Sequence, residues 1–393
     1  MKKMTLSAII LGFAISEANS SDILSEISSI KNSNDDTISV SKMEIKISGK
    51  AELDAYTSDV YSSEDLQHEY YTTADLNFDV TFNKKWSAFL ALEADAAAES
   101  ATVGYNGAWV KYQPTKIFSV KLGDLTFNEG EFIAYYGYDD SGKFAAGMKG
   151  HDIRGMEFTL AGLELGIGFG RGSNDHEKGA YNAHLAYELE YGDQYIRPYV
   201  DYKSYQSKNH NELHTGVENN LNLGAFSLRT VYGFHADYLN DEDTTSNAHV
   251  ILLEPIFEMG WLKIKTSAMY AYLSNGKGSG TEKVIDKYGE PYTVEQNERN
   301  EVASEIPEYF FAYVEPQIKL VKFITAGIPV EYHTNSLDSG AKISTVDTGL
   351  RLYISPIKNL NVMTTGMFDI PVDEDNKTDD ISLYFGLESV FTF

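Results

Sequence analysis

His210 and His214 stand four residues apart, the separation that sets two zinc ligands on one face of a helix. The residues around them alternate as a strand does, and sequence supplies no convincing third ligand, so the pair does not make a zinc site. His184, His235 and His333 stand singly and read as solvated. Asp373-Glu374-Asp375-Asn376 is rich enough in carboxylates to suggest calcium. It lacks the glycine at loop position six and the glutamate at position twelve that an EF-hand needs. Gly166, Gly168, Gly170 and Gly172 repeat with period two, whereas a dinucleotide loop needs another spacing and a helix behind it. No Gly-x-Ser-x-Gly elbow occurs. The absence of cysteine removes disulfides, thiolate metal sites and cysteine nucleophiles. The residues that carry chemistry are therefore dispersed, and neither an enzyme nor a resident cofactor is expected.

Charge and composition narrow the classes further. The 393 residues carry 58 Asp and Glu against 32 Lys and Arg, a formal net charge of −26. Phosphate recognition needs clustered bases, so no nucleic-acid partner is expected. Mean hydropathy is −0.30, and no apolar run reaches the roughly 18 residues of a spanning helix. Yet 27 Tyr, 20 Phe and 31 Gly exceed what a disordered acidic chain contains.

The chain divides into three parts. Residues 1–20 read as a secretion signal: Met1-Lys2-Lys3, an apolar stretch from Leu6 to Ile15, then small residues with cleavage after Ala18 or Ser20. Residues 21–42 read as a short lead-in, with apolar residues at 23, 24, 27 and 30 in helical spacing, followed by a polar run. From Met43 to Phe393 apolar and polar residues alternate with period two.

That alternation is the strand pattern, one greasy face and one wet face. Tyr70, Thr72, Ala74, Leu76, Phe78, Val80 and Phe82 oppose Tyr71, Thr73, Asp75, Asn77, Asp79 and Thr81. Segments of roughly 10–14 residues exceed the usual strand and suit a tilted crossing of a bilayer. Tyr, Phe and Trp bracket the apolar faces, as membrane girdles require. Short turns, such as Asn83–Lys85 and Ala161–Gly162, alternate with long polar loops, such as 128–150 and 274–307. Eight turns and nine loops connect eighteen strands; sixteen is the next count. The fold expected is all-β: a transmembrane antiparallel β-barrel. Pro198, Pro255 and Pro316 fall near short turns, at bulges or ladder ends. The alternation leaves Pro329 without a place.

The polar faces carry charge at a density that a dry core does not tolerate. A barrel of sixteen to eighteen strands holds water instead. The inward acid excess predicts a preference for cations, weakened by salt. The inward glycines of the seventh strand offer a smooth wall on which an inserted loop can lie.

The last strand ends Leu383, Phe385, Leu387, Phe391, Phe393 on one face. This resembles the terminal strand of Gram-negative outer-membrane barrels, closed by a terminal Phe. With Lys121-Leu122-Gly123-Asp124-Leu125-Thr126-Phe127, the long loop to Gly150 and Asp152-Ile153-Arg154-Gly155, the chain from Met43 to Phe393 resembles the porin family. The resemblance implies an outer-membrane channel passing small hydrophilic solutes and ions, surrounded by lipid and lipopolysaccharide, usually as a homotrimer. It also implies that the loop after strand five folds inward and sets acids against basic wall residues. The acids would be Asp124, Glu129, Glu131, Asp139 and Asp140, and the bases Lys46, Lys50, Arg197, Arg229, Lys265 and Arg351. Tyr135, Tyr136 and Tyr138 would pack that loop or stack on sugars. Eighteen strands would point towards substrate-specific porins. Two other classes remain open: a surface adhesin or receptor using the long loops 57–68 and 274–307, and a barrel enzyme.

Overall fold

The period-two segments become eighteen antiparallel barrel strands in the computed structural model. The structure describes residues 43–58, 67–97, 100–127, 129–130, 132–135, 151–170, 180–205, 210–237, 246–275, 277–278, 281–285, 291–295, 308–336, 342–372 and 381–393. The expected signal and lead-in lie outside these, as do Glu131, Tyr136, Tyr138, Asp139, Asp140, Gly172 and residues 373–376.

In chain order the strands are β1 (Glu44–Ser58), β2 (Gln67–Asn83), β3 (Trp86–Ala97), β4 (Ser100–Tyr112), β5 (Phe118–Phe127) and β6 (His151–Leu160). Next come β7 (Leu163–Gly170), β8 (Ala180–Tyr187 continued by Leu189–Tyr191), β9 (Gln194–Tyr205), β10 (His210–Asn222), β11 (Phe226–Asp237) and β12 (Ser246–Met259). The last are β13 (Leu262–Asn275), β14 (Glu308–Val321), β15 (Ile324–Gly327 continued by Val330–Ser336), β16 (Lys342–Ile357), β17 (Leu360–Pro371) and β18 (Ser382–Thr392). Each pairs with the next, and β18 returns to β1 through Lys50–Thr57 against Thr392–Phe385. A separate three-stranded sheet, Lys277–Gly278, Thr281–Ile285 and Pro291–Glu295, stands in the long connection between β13 and β14.

Closure satisfies backbone groups that hydrocarbon would otherwise strand. Phe393 N donates to Gly49 O at 3.1 Å, and Gly49 N donates to Phe393 O at 3.2 Å. The Phe393 ring lies over Gly49, in space that a side chain there would fill. The outer face is exposed and apolar, with Ile45, Ile47, Leu53, Ile167, Phe169, Leu387 and Phe391 among it. The opposite parity carries the polar set. Glu157, His184, Asp201, Glu218, Arg229, Glu254, Glu315 and Arg351 are all buried there.

Pro198, Pro255, Pro316 and Pro329 fall at irregular points. The β12–β13 register stops at Leu253–Ala268 and resumes at Ile256–Lys265, passing over Pro255. Pro198 comes where β8 is interrupted at Glu188, between the Tyr199–Ala186 and Ile196–Leu189 pairs. Pro316 and Pro329 share one break, because β14 pairs with β15 at Gln317–Gly327 and again at Val314–Val330 but not between. There Ile328 N donates to Pro316 O at 3.1 Å, and Pro329 O accepts Gly349 N at 3.3 Å and Thr348 Oγ1 at 3.1 Å. The strand detours where Pro329 has no N–H to offer, which gives that residue its place.

One seam is short. β4 and β5 pair only through Trp109–Tyr112 against Gly123–Val120. Beyond Gly123 the Asp124 carboxylate stands in for a ladder partner, accepting Ala108 N at 3.1 Å and the Tyr105 hydroxyl. Arg154 Nε donates to the same carboxylate at 2.8 Å.

Substituting Gly49→Val should push the terminal ring off β1, lower the refolded fraction several-fold and cost about 2–3 kcal/mol. Heat-modifiable mobility and urea unfolding in detergent read this. Gly386→Val is the control, because the nearest atom to an added Cβ there is 4.0 Å away, and it should refold normally.

Candidate functional site

The connection after β5 enters the barrel from Phe127. Its described residues, 129–130 and 132–135, lie against the inner wall from β8 round to β15. Glu129 meets Arg197 of β9, with Nη2 to Oε1 at 2.8 Å. Gly130 N donates to Glu218 of β10 at 3.0 Å. Ile133 N and Ala134 N donate to Glu254 of β12 at 3.1 and 2.9 Å. The Tyr135 hydroxyl donates to Glu331 of β15 at 2.7 Å.

Arg229 joins the two central acceptors. Its Nε and Nη2 reach Glu218 at 3.0 and 2.8 Å, and its Nη1 reaches Glu254 at 2.9 Å. All three side chains are buried. Ser267 Oγ and the Tyr195 hydroxyl donate to the remaining carboxylate positions. The guanidinium cancels part of the charge that two buried carboxylates would carry, and their free lone pairs then accept loop amides. Hydrogen bonds to charged groups contribute about 1.5–3 kcal/mol each, so this clamp outweighs the ordering entropy of a few loop residues.

Apolar contact supplements it. Phe132 and Tyr135 pack on Val231, Val250, Leu252, Met269, Ala271, Phe311 and Tyr313, all buried. These wall residues face inward. Phe311 meets Phe132 edge-on at 5.9 Å and Tyr135 at 4.5 Å. At the loop's root the Phe127 ring occupies the space left by Gly166. Gly166 thus admits the side chain that precedes the loop.

Further round, Tyr313 and Tyr353 donate to Glu315 at 2.6 and 2.7 Å. Arg351, fully buried, lies 3.2 Å from the Tyr313 hydroxyl and 4.0 Å from Glu315. Lys121 pairs with Glu157 at 2.7 Å and stands over the Trp109 ring. A cavity of ≈ 370 Å³ opens between the loop root and this wall, lined by Lys121, Phe127, Glu129, Glu157, Glu164, Glu188, Arg197 and Glu218 among others.

The residues expected at a constriction divide as follows. Glu129 and Arg197 meet directly. Arg229 faces the loop but is held by wall acids, which take the loop by its backbone. Lys265 lies over the Tyr353 ring at 6.0 Å, and Arg351 lies in the Glu315 network. Lys50 pairs with Glu52 on the opposite wall, and Lys46 stands in register with Asp79. Asp124 is placed elsewhere: its strand parity turns it outward, towards Arg154 and Tyr105. Glu131, Asp139 and Asp140 lie outside the described residues. Sequence reasoning passed over Glu254, Glu164 and the inward apolar patch. A rule that gives every apolar face to lipid has no signal for a patch covered from within. The His214 ring stacks on His235 at 4.4 Å; the His210 side chain lies outside the described ones.

No protein-family model matches the chain, and no curated protein matches it. Solved structures do. Pseudomonas aeruginosa OccK9 (OpdG) aligns over 90% of this chain and 99% of its own, with TM-score 0.57 and 11% identity. Acinetobacter baumannii OccAB3 covers 89% and 99%, with TM-score 0.55 and 9% identity. A loop-deletion mutant of OmpT, an outer membrane protein of Vibrio cholerae, covers 89% and 99%, with TM-score 0.54 and 10% identity. The class that fold and lumen define is the porin-like transmembrane β-barrel. At these identities the likeness is one of fold.

Removing Glu254 strips two loop amides of their acceptor and leaves Arg229 half-paired. Glu254→Ala should therefore cost about 3–5 kcal/mol, read as a lower urea midpoint of the refolded barrel. Glu254→Gln keeps an acceptor oxygen and should lose less.

Proposed function

We propose that the chain is an outer-membrane porin, a water-filled channel for small hydrophilic solutes with a preference for cations. One observation carries the preference. The described loop residues cover the wall from β8 to β15, where most charges are already paired. The uncovered wall, from β16 through β18 to β3, carries Glu44, Glu52, Asp54, Asp75, Asp79, Glu93, Asp95, Asp347, Asp369 and Glu388 inward, against Lys46, Lys50 and Arg351, the last held in the Glu315 network. Lys50 is bound to Glu52. Solutes passing the loop therefore meet an acid-dominated surface, and a low-dielectric barrel concentrates its field in the water between.

Exposed apolar strands, aromatic flanks and a polar interior support a place in a bilayer with lipid and lipopolysaccharide outside. The same reading is non-enzymatic. Its finer part is a homotrimer. The outward cluster of Tyr105, Asp124 and Arg154 marks the wall that would turn towards a neighbouring protomer, since the Arg154 side chain, paired with Asp124, is 60% exposed there and charge on a lipid face is costly.

Refolded protein in a planar bilayer under a salt gradient should give stable ohmic steps and a reversal potential on the cation side. Asp75→Asn with Glu93→Gln should move that potential towards zero, and 1 M salt, where the Debye length is about 3 Å, should do the same to the unaltered protein. A folded barrel that passes no current would overturn the channel reading. An anion-side potential would overturn the preference.

A further inference from the structure

The cluster behind the loop root has a composition that ion conduction does not require. His184 projects inward from β8 with its side chain fully buried. Its Nδ1 lies 3.0 Å from both oxygens of Asp201, which fixes the ring's orientation. The Phe127 ring stacks on the imidazole at 3.9 Å and 17°. The other nitrogen, Nε2, is buried and has no hydrogen-bond partner. It faces Glu164 Oε1 at 3.4 Å and Glu129 Oε1 at 3.6 Å. Glu129 Oε2 is likewise buried without a hydrogen bond. An unsatisfied ring nitrogen and a free carboxylate oxygen, both buried and on residues in contact, are costly without a further partner.

Geometry says what fits. Bonds of about 2.0–2.2 Å to a tetrahedral ion separate ligand atoms by about 3.3–3.6 Å; Nε2 lies 3.4 Å from Glu164 Oε1, and the Glu129 carboxylate approaches it to 3.6 Å through Oε1. Asp201 on Nδ1 completes the carboxylate–imidazole pair that holds a metal-binding histidine in one tautomer. Charge agrees. Three carboxylates, Glu129, Glu164 and Asp201, surround the His184 ring, and Arg197 is the guanidinium that pairs with two of them. Arg197 occupies Glu129 Oε1 and Glu164 Oε2, at 2.8 and 3.3 Å, and leaves Glu129 Oε2 and Glu164 Oε1 available. Glu129 and Glu164 also line the cavity.

We propose that His184, Glu129 and Glu164 form a binding site for a first-row divalent cation of the zinc type, with Asp201 as a positioning residue. One nitrogen and two carboxylates suit that class, whereas calcium takes six to eight oxygens. The site pins the loop root to β7 and β8 and lies beside the lumen.

The full-length refolded barrel, stripped with chelator, is titrated with Zn²⁺ by calorimetry in detergent. The titration does not depend on whether the barrel conducts. One Zn²⁺ per chain is expected. Asp201→Asn should weaken binding about 10–100-fold, and His184→Gln and Glu164→Gln should weaken it more. Heat-modifiable mobility confirms that each variant is folded. If His184→Gln fails to fold, Zn²⁺-edge absorption fine structure on the unaltered protein supplies the test, with one nitrogen among its light scatterers expected. No Zn²⁺ binding overturns the site and leaves a proton on Nε2 as what fills the gap. Binding unchanged in folded His184→Gln, an all-oxygen shell, or loss only in Glu52→Gln, from the acidic group at Glu52, Asp54 and Glu388, would each overturn it too.

Discussion

A backbone N–H in hydrocarbon has no water to bond, and every large feature of this molecule follows from that. The sheet must close, so the last residue is tied to Gly49 by two hydrogen bonds and its ring lies on the glycine. Where the ladder fails, something else must accept or the chain must lack the donor. Asp124 does the first beside Ala108, and Pro255, Pro316 and Pro329 do the second at register gaps. The same accounting holds inside the lumen, where loop amides find the Glu218 and Glu254 carboxylates.

Closure makes a cylinder, and the inserted loop makes it lopsided. One half of the wall becomes a dry, paired interface with charge networks around Arg229, Arg197 and Arg351. The other half carries inward acids that no described loop residue covers. The two halves are built from similar residues, and their difference lies in whether each charge has a protein partner or water. Paired buried charges hold structure in place, while half-exposed ones act on what passes.

The barrel was legible because period two is a strong signal repeated many times, and the short turns set the strand count. Lumen parity was legible for the same reason, down to Arg197, Asp201, Glu218 and Glu331. Two things were not. Val250, Leu252 and Phe311 are apolar and face inward, and nothing in an alternating pattern says which face a loop will later cover. The loop was also expected to dock through its acids on wall bases. It docks largely through backbone amides on wall acids, and main-chain donors leave no trace in side-chain chemistry. His184 shows the same limit. As a single histidine it reads as solvated, and only the approach of Glu129 from a distant loop gives it neighbours.

An anchor made of main-chain donors has a consequence for how this protein can change over generations. Glu254 holds positions 133 and 134 by groups that nineteen of the twenty amino acids share. The exposed side chain at 133 is therefore free to vary with little cost to the loop's placement, provided that it does not become proline, whereas the fully buried Ala134 is held to a small residue. Ile133 in particular turns away from the wall, 55% exposed. The surface that the loop turns away from the wall can thus be altered at position 133 while the scaffold beneath it stays the same.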